Sequence, residues 1–524
     1  MKRFLSITLA LIMVLSLAVV GSTAIFAEDE PAYDAEVLNP DGTKAADLNL
    51  SELSNFGPAR EKVADGQTVR LLKDVTTENT VFLVGNVTFD GNGHQIAFTG
   101  TKDNKNLFSV ATDADKLGEG AGPSEYATVK IVNLKATTTG TILVHYFANV
   151  EFGAGNVFEA SGAMFIGNRT NAGKLTFTGG EYTSKGVSAI FSLEFRAYEV
   201  EILGGSFSTT SSSIIQMSQA GGTVNIGGGK FVLSGGDGVI VNMLPTASGD
   251  SKINIYDGYF YCTTYQRIVV VLAGTANVYG GIFYNTNRGD GDLFTVRNSA
   301  KLNIYGGTII NVAGKEPIQN VNNGLYYPDE AKLNPTMLDG ASVRLVADSN
   351  GIRFESSISK TLTDWVNGQK DAGTQISYGT LIMPTDTLPA NYAFTVNALE
   401  SLGKQEGVDY VNIPAASGIS TDAEGNLLIR AALVNLKEGN YNRALSAVSY
   451  VRYIKDGHEV YIYSNYNATN NSRSMAYIAQ AALDDVADTA DSVYRYEVTV
   501  AGVTKYSRYT EAQRTVLGQY ITNN

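Results

Sequence analysis

Six short segments of the chain share one pattern, in which apolar and polar residues alternate and a glycine-rich turn follows. They are LTFTGGEY (175–182), VEILGGSF (200–207), VNIGGGKF (224–231), INIYDGYF (253–260), ANVYGGIF (276–283) and LNIYGGTI (302–309). Their last residues lie 25, 24, 29, 23 and 26 positions apart. A repeat of this length is typical of stacked units, each of which buries its apolar face against a neighbour.

The alternation predicts a strand with one buried face in each unit. Glycine then allows the chain to turn, because it tolerates positive φ and brings no Cβ into a crowded corner. The aromatic or branched residue that ends each segment is expected to stack on its counterpart one coil away: Tyr182, Phe207, Phe231, Phe260, Phe283 and Ile309. A second strand follows in each unit, as in GVIVNML and RIVVVLA. These patterns predict a coil whose strands pair in parallel with the coils above and below.

The segment VRLLKDVTTENTVFLVGNVTFDGNGHQIAF (69–98), with its DGNGHQI turn, and the repeat that follows resemble the right-handed parallel β-helix of the pectin-lyase-like superfamily, over roughly residues 46–312. The resemblance implies a mainly β fold. It leaves function open, because this scaffold carries lyases, hydrolases and non-catalytic proteins. Residues 52–67 are expected to form a short amphipathic helix that caps the first coil and covers its strand edges.

Four regions follow along the chain. Residues 1–27 have a basic start and an apolar run that ends in small residues, which predicts a signal peptide and a secreted protein. The β-helix with its cap is expected over 28–317, a linker over 318–338 and an α+β module over 339–524. In that module, strands are predicted at 376–384, 426–436, 445–454 and 458–465, and helices at 357–367 and 472–486.

Four phrases of the C-terminal module resemble an uncharacterised module of secreted Firmicutes-type bacterial proteins. They are GIRFESSI (351–358), YGTLIMP (378–384), NYNRALSAVSYVRY (440–453) and NSRSMAYIA (471–479). This resemblance implies no activity. The polar side chains in and near these phrases are either ligand contacts or partners of the module's own carboxylates: Arg353, Arg430, Asn442, Arg443 and Arg473.

The composition argues against several classes of partner and site. The formal charge of −13 argues against nucleic acid and anionic membranes as partners. A single cysteine, Cys262, cannot form an internal disulfide. The three histidines, His94, His145 and His458, lack the HExxH spacing of a zinc site. No cofactor is expected, with a calcium ion as the alternative, and the chain is expected to be a monomer without a membrane span once the signal peptide is removed.

Charged residues recur at one phase of the repeat, six or seven positions after the terminal aromatic residue: Asp237, Arg267, Asp290 and Lys315. Equal phase on adjacent coils would place them about 5 Å apart, flanked by Arg288, Asp292 and Arg297. If the protein is an enzyme, the catalytic candidates are Asp237, Arg267, Asp290 and Asp292. The ligands of a calcium ion would be Asp237, Asp290 and Asp292. The alternative is a solvated row of ion pairs.

Six residues of the second strands, all polar except Val270, fall at matching positions 24 to 28 residues apart: Ser192, Gln216, Asn242, Val270, Thr295 and Asn320. Facing outward, they would form a strip that hydrogen-bonds a neutral glycan; facing inward, they would be ladders within the coil. The predicted ligand-binding residues are Gln216, Asn242, Tyr265, Arg288, Thr295 and Asn320. Nearby tyrosines either offer flat faces to sugar rings or fill strand surfaces: Tyr256, Tyr259, Tyr261, Tyr279, Tyr284 and Tyr305.

The sequence therefore favours a secreted protein that binds carbohydrate or cell-surface glycans without catalysis. A polysaccharide lyase or glycoside hydrolase is the alternative, and a structural spacer is a third interpretation.

Overall fold

The computed structural model describes residues 31–100, 106–112, 125–144, 148–167, 173–194, 198–218, 221–247, 250–286, 293–297, 300–311, 318–319, 334–338, 340–346, 349–388, 394–396, 399, 409–415 and 419–521. The predicted signal peptide lies outside this part, as do His145, Arg288, Asp290, Asp292, Lys315 and Asn320. Within it, no helix has the length and apolar character needed to cross a membrane.

Three sheets, here called A, B and C, form the first part of the molecule. From Thr68–Leu71 onward, a strand of sheet A is followed by one of sheet B and then one of sheet C. Each of these strands pairs in parallel with its counterparts one coil away, so that Val224 lies opposite both Val200 and Ile253. This arrangement is a parallel β-solenoid, and it confirms the predicted stacking of the repeat.

The strands of the solenoid are short, as the repeat predicts. Sheet A contains Ala35–Leu38, Lys44–Leu48, Thr68–Leu71, Thr88–Asp90, Thr128–Val132, Asn149–Phe152, Lys174–Phe177, Glu199–Ile202, Thr223–Ile226, Lys252–Ile255, Thr275–Val278 and Lys301–Ile304. Sheet B contains Val75–Thr77, Gln95–Phe98, Lys135–Thr138, Val157–Ala160, Glu181–Ser184, Ser206–Thr209, Lys230–Leu233, Tyr259–Cys262, Ile282–Asn285 and Thr308–Asn311. Sheet C contains Val81–Val84, Asn106–Ala111, Thr141–Val144, Phe165–Gly167, Phe191–Leu193, Ile215–Met217, Val241–Met243, Val269–Val271, Phe294–Val296 and Ile318–Gln319.

Aromatic rings stack along the inside of sheet B. The rings of Phe231 and Phe260 are 4.8 Å apart and nearly parallel, at 4°, and the Phe260–Phe283 pair repeats this geometry at 4.8 Å and 7°. All three side chains are fully buried. The predicted stacking of the terminal aromatic residues is therefore confirmed, and the column contributes apolar burial in every coil.

The glycine at the corner between sheets A and B has a steric cause. Gly281 has φ +93°, and a Cβ at this position would lie 2.9 Å from the carbonyl oxygen of Gly258 in the preceding coil. A side chain would thus meet both an unfavourable backbone conformation and the neighbouring coil. The glycine pairs keep the coils close together at this corner.

The N-terminal end begins with an antiparallel segment, because Ala35–Leu38 pairs with both Lys44–Leu48 and Thr68–Leu71. A 3₁₀ turn, Leu50–Leu53, and an α-helix, Phe56–Lys62, follow. The helix is shorter than the predicted span of 52–67. It contributes the buried Ala59 to the first coil's core, and its role as a cap stays a prediction.

The C-terminal region is mostly β, and the expected α+β character is not confirmed. Its first sheet contains Thr336–Met337, Ser342–Arg344, Gly351–Ile358, Leu427–Val434 and Ser420–Thr421; its second contains Val411–Pro414, Ser377–Pro384, Leu445–Lys455, His458–Tyr463 and Ser472–Arg473; its third contains Val486–Ala487, Val503–Ser507 and Tyr496–Val500. The α-helices are Lys360–Gln369, Ala468–Asn471, Met475–Asp484 and Glu511–Gln519, with 3₁₀ turns at Thr385–Thr387 and Glu438–Asn440.

The four predicted strands of this region are confirmed to within two residues at each end. The helix predicted at 357–367 begins later, at Lys360, because Gly351–Ile358 is a strand paired with Leu427–Val434. The helix predicted at 472–486 runs from Met475 to Asp484. Its N-cap is Ser474, whose hydroxyl accepts a hydrogen bond from the Tyr477 N–H.

Candidate binding surfaces

The tyrosines at the corner between sheets A and B do not form an open sugar-binding face. Tyr256, Tyr279 and Tyr305 stack along the corner, with ring centroids 5.2 and 4.8 Å apart. The C-terminal module covers them: the imidazole of His458 lies on Tyr256 at 4.2 Å, and the Trp365 indole N–H donates to the Tyr305 carbonyl at 2.6 Å. These rings belong to the contact between the two parts of the chain.

The C-terminal module also covers tyrosines on the outer face of sheet B. Tyr259 and Tyr261 are buried in a cluster with residues of the C-terminal module, including Met383, Val448 and Tyr461. Burial raises the pKa of the Tyr259 phenol well above its usual range, so this group stays neutral. Tyr265, by contrast, is 62 % exposed and lies in the turn between sheets B and C.

That turn also carries the described part of the predicted charged ladder. Asp237 and Arg267 lie in successive turns, each between a sheet B strand and the following sheet C strand. The two turns are joined by a hydrogen bond from the Gln266 amide to Asp237 Oδ1 at 3.3 Å. Arg267 follows Gln266 directly, so the two predicted charges do lie on neighbouring coils. Their partners Asp290, Asp292, Arg288 and Lys315 fall outside the described residues.

The predicted polar strip lies on sheet C, where its positions pair with one another on neighbouring strands. Register places Ser192, Gln216, Asn242, Val270 and Thr295 opposite one another on successive strands. Thr295 then pairs with Gln319, one residue before the expected Asn320, because the parallel ladder fixes a register that spacing alone leaves open.

The middle of this strip faces outward. Gln216 lies between the fully buried Ile215 and Met217, and Asn242 between Val241 and Met243, so alternation turns both amides toward solvent. The ends of the strip are covered: Ser192 is 7 % and Thr295 2 % exposed, and the Ser192 hydroxyl donates to Glu194 Oε1 at 2.9 Å. Gln216 and Asn242 are thus the accessible hydrogen-bonding pair.

A second amide row lies on sheet A, and the sequence interpretation missed it. The side chains of Asn225, Asn254, Asn277 and Asn303 form a continuous ladder in which each Nδ2 donates to the previous Oδ1 at 2.8–2.9 Å. The repeat contained the pattern that predicts this ladder, because an asparagine lies three residues before the GG or DG pair in the four segments that begin VNI, INI, ANV and LNI.

The histidines and the cysteine do not form a metal centre in the part of the chain that the structure describes, where no group of three potential ligands comes together. His94 Nδ1 lies 3.3 Å from Asp74 Oδ1, and His458 lies at the contact between the solenoid and the C-terminal module. Cys262 is fully buried in sheet B.

The arginines of the C-terminal module contact groups of that module. Arg430 lies 2.9 Å from Glu355 and Arg443 lies 2.8 Å from Asp386, as the second of the two sequence interpretations predicts. The Arg353 guanidinium donates to the Ser342 hydroxyl at 3.0 Å. The Arg473 guanidinium donates to the Ser472 carbonyl at 2.8 Å and lies over the Tyr477 ring. Asn442 follows the turn Glu438–Asn440.

Comparisons with known proteins add no assignment: no family model, no curated protein and no solved structure matches the chain.

Proposed function

We propose that the chain is an exported bacterial β-helix protein of the pectin-lyase-like kind, and that it binds carbohydrate or cell-surface glycans without catalysis. The supporting observation is the outward-facing pair Gln216 and Asn242 on adjacent strands of sheet C. Adjacent strands lie about 4.8 Å apart, and each amide both donates and accepts hydrogen bonds. Such a pair suits the hydroxyl groups of a neutral sugar chain.

The exposed ring of Tyr265 supports the same function. It lies in the turn that leads into Val269–Val271, the strand next to the one that carries Asn242. An exposed aromatic ring beside hydrogen-bonding amides provides an apolar face and a polar edge, the combination found in ligand sites with few fixed polar groups. The C-terminal module covers the outer face of the last strands of sheet B, whereas the Tyr265 side chain is 62 % exposed.

The experiment measures binding of the mature protein to neutral oligosaccharides, namely cello-, xylo-, manno- and maltohexaose, by isothermal titration calorimetry. The double variant Gln216→Ala/Asn242→Ala is expected to weaken binding about tenfold or more, since each lost hydrogen bond contributes about 0.5–1.5 kcal/mol. Asn303→Ala, which removes an amide from the ladder on sheet A, is the matched control and should bind as the wild type does.

The same samples distinguish binding from catalysis. Incubation with and without calcium, followed by absorbance of unsaturated products and by reducing-end assay, should show no turnover. Turnover that Asp237→Ala or Arg267→Ala abolishes would establish the lyase or hydrolase alternative. Absence of both binding and turnover would leave the spacer interpretation and refute this proposal.

A further inference from the structure

The outer face of sheet A carries an open cleft that the sequence interpretation did not anticipate. It has a volume of ≈ 440 Å³ and is lined by Tyr126, Asn149, Lys174, Tyr198, Glu199 and Asn225 among others. This volume lies within the range of small-molecule sites in proteins. The cleft spans five successive coils and lies on a different sheet from Gln216 and Asn242.

Tyr198 is the most informative residue in the wall of the cleft. Its side chain is 4 % exposed, and among the described residues its hydroxyl has no hydrogen-bond partner. Burial raises the pKa of this phenol well above its usual range, so it stays neutral and can donate. A buried hydroxyl without a partner is costly, and a ligand in the cleft would supply that partner.

The backbone is shaped to hold the Tyr198 ring. A Cβ at Gly222 would lie 2.1 Å from the ring atom Cε2, so only glycine allows the ring to lie against this segment. The position of Tyr198 is therefore built into the fold.

The charges in the cleft are already paired. Lys174 Nζ lies 3.1 Å from Glu199 Oε1 and 2.8 Å from Glu201 Oε2. Glu201 is buried, does not line the cleft, and also lies 3.3 Å from His458 Nδ1. The charged residues of the lining, Lys174 and Glu199, therefore form one ion pair, which an anionic or a cationic ligand would have to break. An uncharged ligand leaves this pair intact.

Hydrogen-bonding groups for such a ligand remain at the end of the asparagine ladder. Asn225 Oδ1 accepts from Asn254 at 2.9 Å, while no described residue accepts a hydrogen bond from Asn225 Nδ2. This amide and the Tyr198 hydroxyl together offer donors to the cleft.

We propose that the cleft on sheet A is a second saccharide-binding site, which takes an uncharged sugar unit through the Tyr198 hydroxyl and the Asn225 amide. The ligand class rests on the proposed function, but the site, its sheet and its residues are different. The two sites can therefore succeed or fail independently.

The test compares Tyr198→Phe with the wild type against the same neutral hexaoses, with galacturonate and glucosamine oligomers as charged probes. Tyr198→Phe removes one oxygen and is expected to weaken binding of the neutral probe about five- to tenfold while leaving the melting temperature unchanged or higher. Tyr259→Phe is the matched control: it removes another buried hydroxyl that lacks a partner among the described residues, far from the cleft, and should leave affinity unchanged.

The outcomes separate the two sites. A loss in Tyr198→Phe that persists in the Gln216→Ala/Asn242→Ala background supports the second site, even if the sheet C strip itself proves inactive. Equal affinity of Tyr198→Phe and wild type, tighter binding of a charged probe, or no binding by the cleft of any neutral probe would each overturn the inference.

Discussion

The imidazole of His458 lies flat on the phenol ring of Tyr256, with centroids 4.2 Å and planes 16° apart. On the same side chain, Nδ1 lies 3.3 Å from Glu201 Oε1. His458 begins the strand His458–Tyr463, and at the other end of that strand the Tyr463 hydroxyl donates to the buried Asp257 at 3.3 Å. This strand of the C-terminal module thus contacts the solenoid at both of its ends.

This contact predicts that the two parts of the chain unfold together. Buried side chains of both, such as Tyr256, Val366 and Tyr453, belong to one continuous core. Trp365, the only tryptophan, lies at the contact, so its fluorescence reports on docking. We expect the urea transitions followed by tryptophan emission and by far-UV circular dichroism to coincide. A fluorescence transition at clearly lower urea would show that the module separates first.

His458→Ala is expected to destabilise the protein by about 1–3 kcal/mol, because it removes the ring stack and leaves a cavity against the solenoid. His94→Ala is the matched control, since that side chain lies in an exposed turn beside Asp74 and its loss should cost less than about 0.5 kcal/mol. Urea unfolding measures both. Equal effects of the two substitutions would contradict the assigned contact.

Alkaline pH should weaken the same contact. Burial raises the pKa of Tyr279 to about 12, and burial also raises the pKa values of Tyr256 and Tyr453. A phenol whose pKa is higher in the folded state than in the unfolded state contributes fully to the stability of the fold when the pH is below its ordinary pKa of about 10. That contribution is lost as the pH rises toward the pKa of the folded state. The free energy of unfolding should therefore fall between about pH 10 and 12.

Tyr279→Phe provides the check on this pH dependence. It removes one titrating group, so the fall should be less steep by up to about 1.4 kcal/mol per pH unit over that window. Urea unfolding at a series of pH values measures the slope. Identical slopes in the variant and the wild type would mean that Tyr279 does not titrate as a buried group.

Gly281→Ala should destabilise the solenoid by about 2 kcal/mol or more, because a left-handed backbone costs about 1–2 kcal/mol and the new Cβ would press on the Gly258 carbonyl oxygen. Gly368→Ala is the control: it lies inside the helix Lys360–Gln369, where an added Cβ would meet no atom within 4 Å, and should stabilise by about 0.5–1 kcal/mol. Thermal unfolding of both variants gives the comparison. Tolerance of alanine at Gly281 would argue against close coils at this corner.

The repeat carried most of the information about the solenoid. Alternation, the glycine pair and the terminal aromatic residue together predicted the buried column of Phe231, Phe260 and Phe283, because each reflects local sterics or period-two burial. The same patterns could not show that Tyr256 and Tyr279 face the C-terminal module, since an exposed and a docked tyrosine have identical local sequence requirements.

The candidate sites were less predictable for the same reason. Alternation places Gln216 and Asn242 on one face of their strands, but the sequence does not show whether that face points toward solvent or into the coil. Tyr198 lies directly before the strand Glu199–Ile202, outside the repeated segments, and its ring packs against Gly222 one coil away. Such contacts depend on the register in which neighbouring coils stack, and the sequence alone does not specify that register.

Hydrogen–deuterium exchange with and without a saturating neutral hexaose locates the ligand on the solenoid. We expect slower exchange in Ile215–Met217 and Val241–Met243 on sheet C and in Glu199–Ile202 beside the cleft on sheet A. We expect no change in Tyr259–Cys262 and Ile282–Asn285, which the C-terminal module covers. Protection confined to those two sheet B strands would show that the ligand binds elsewhere and would refute glycan binding by sheets A and C.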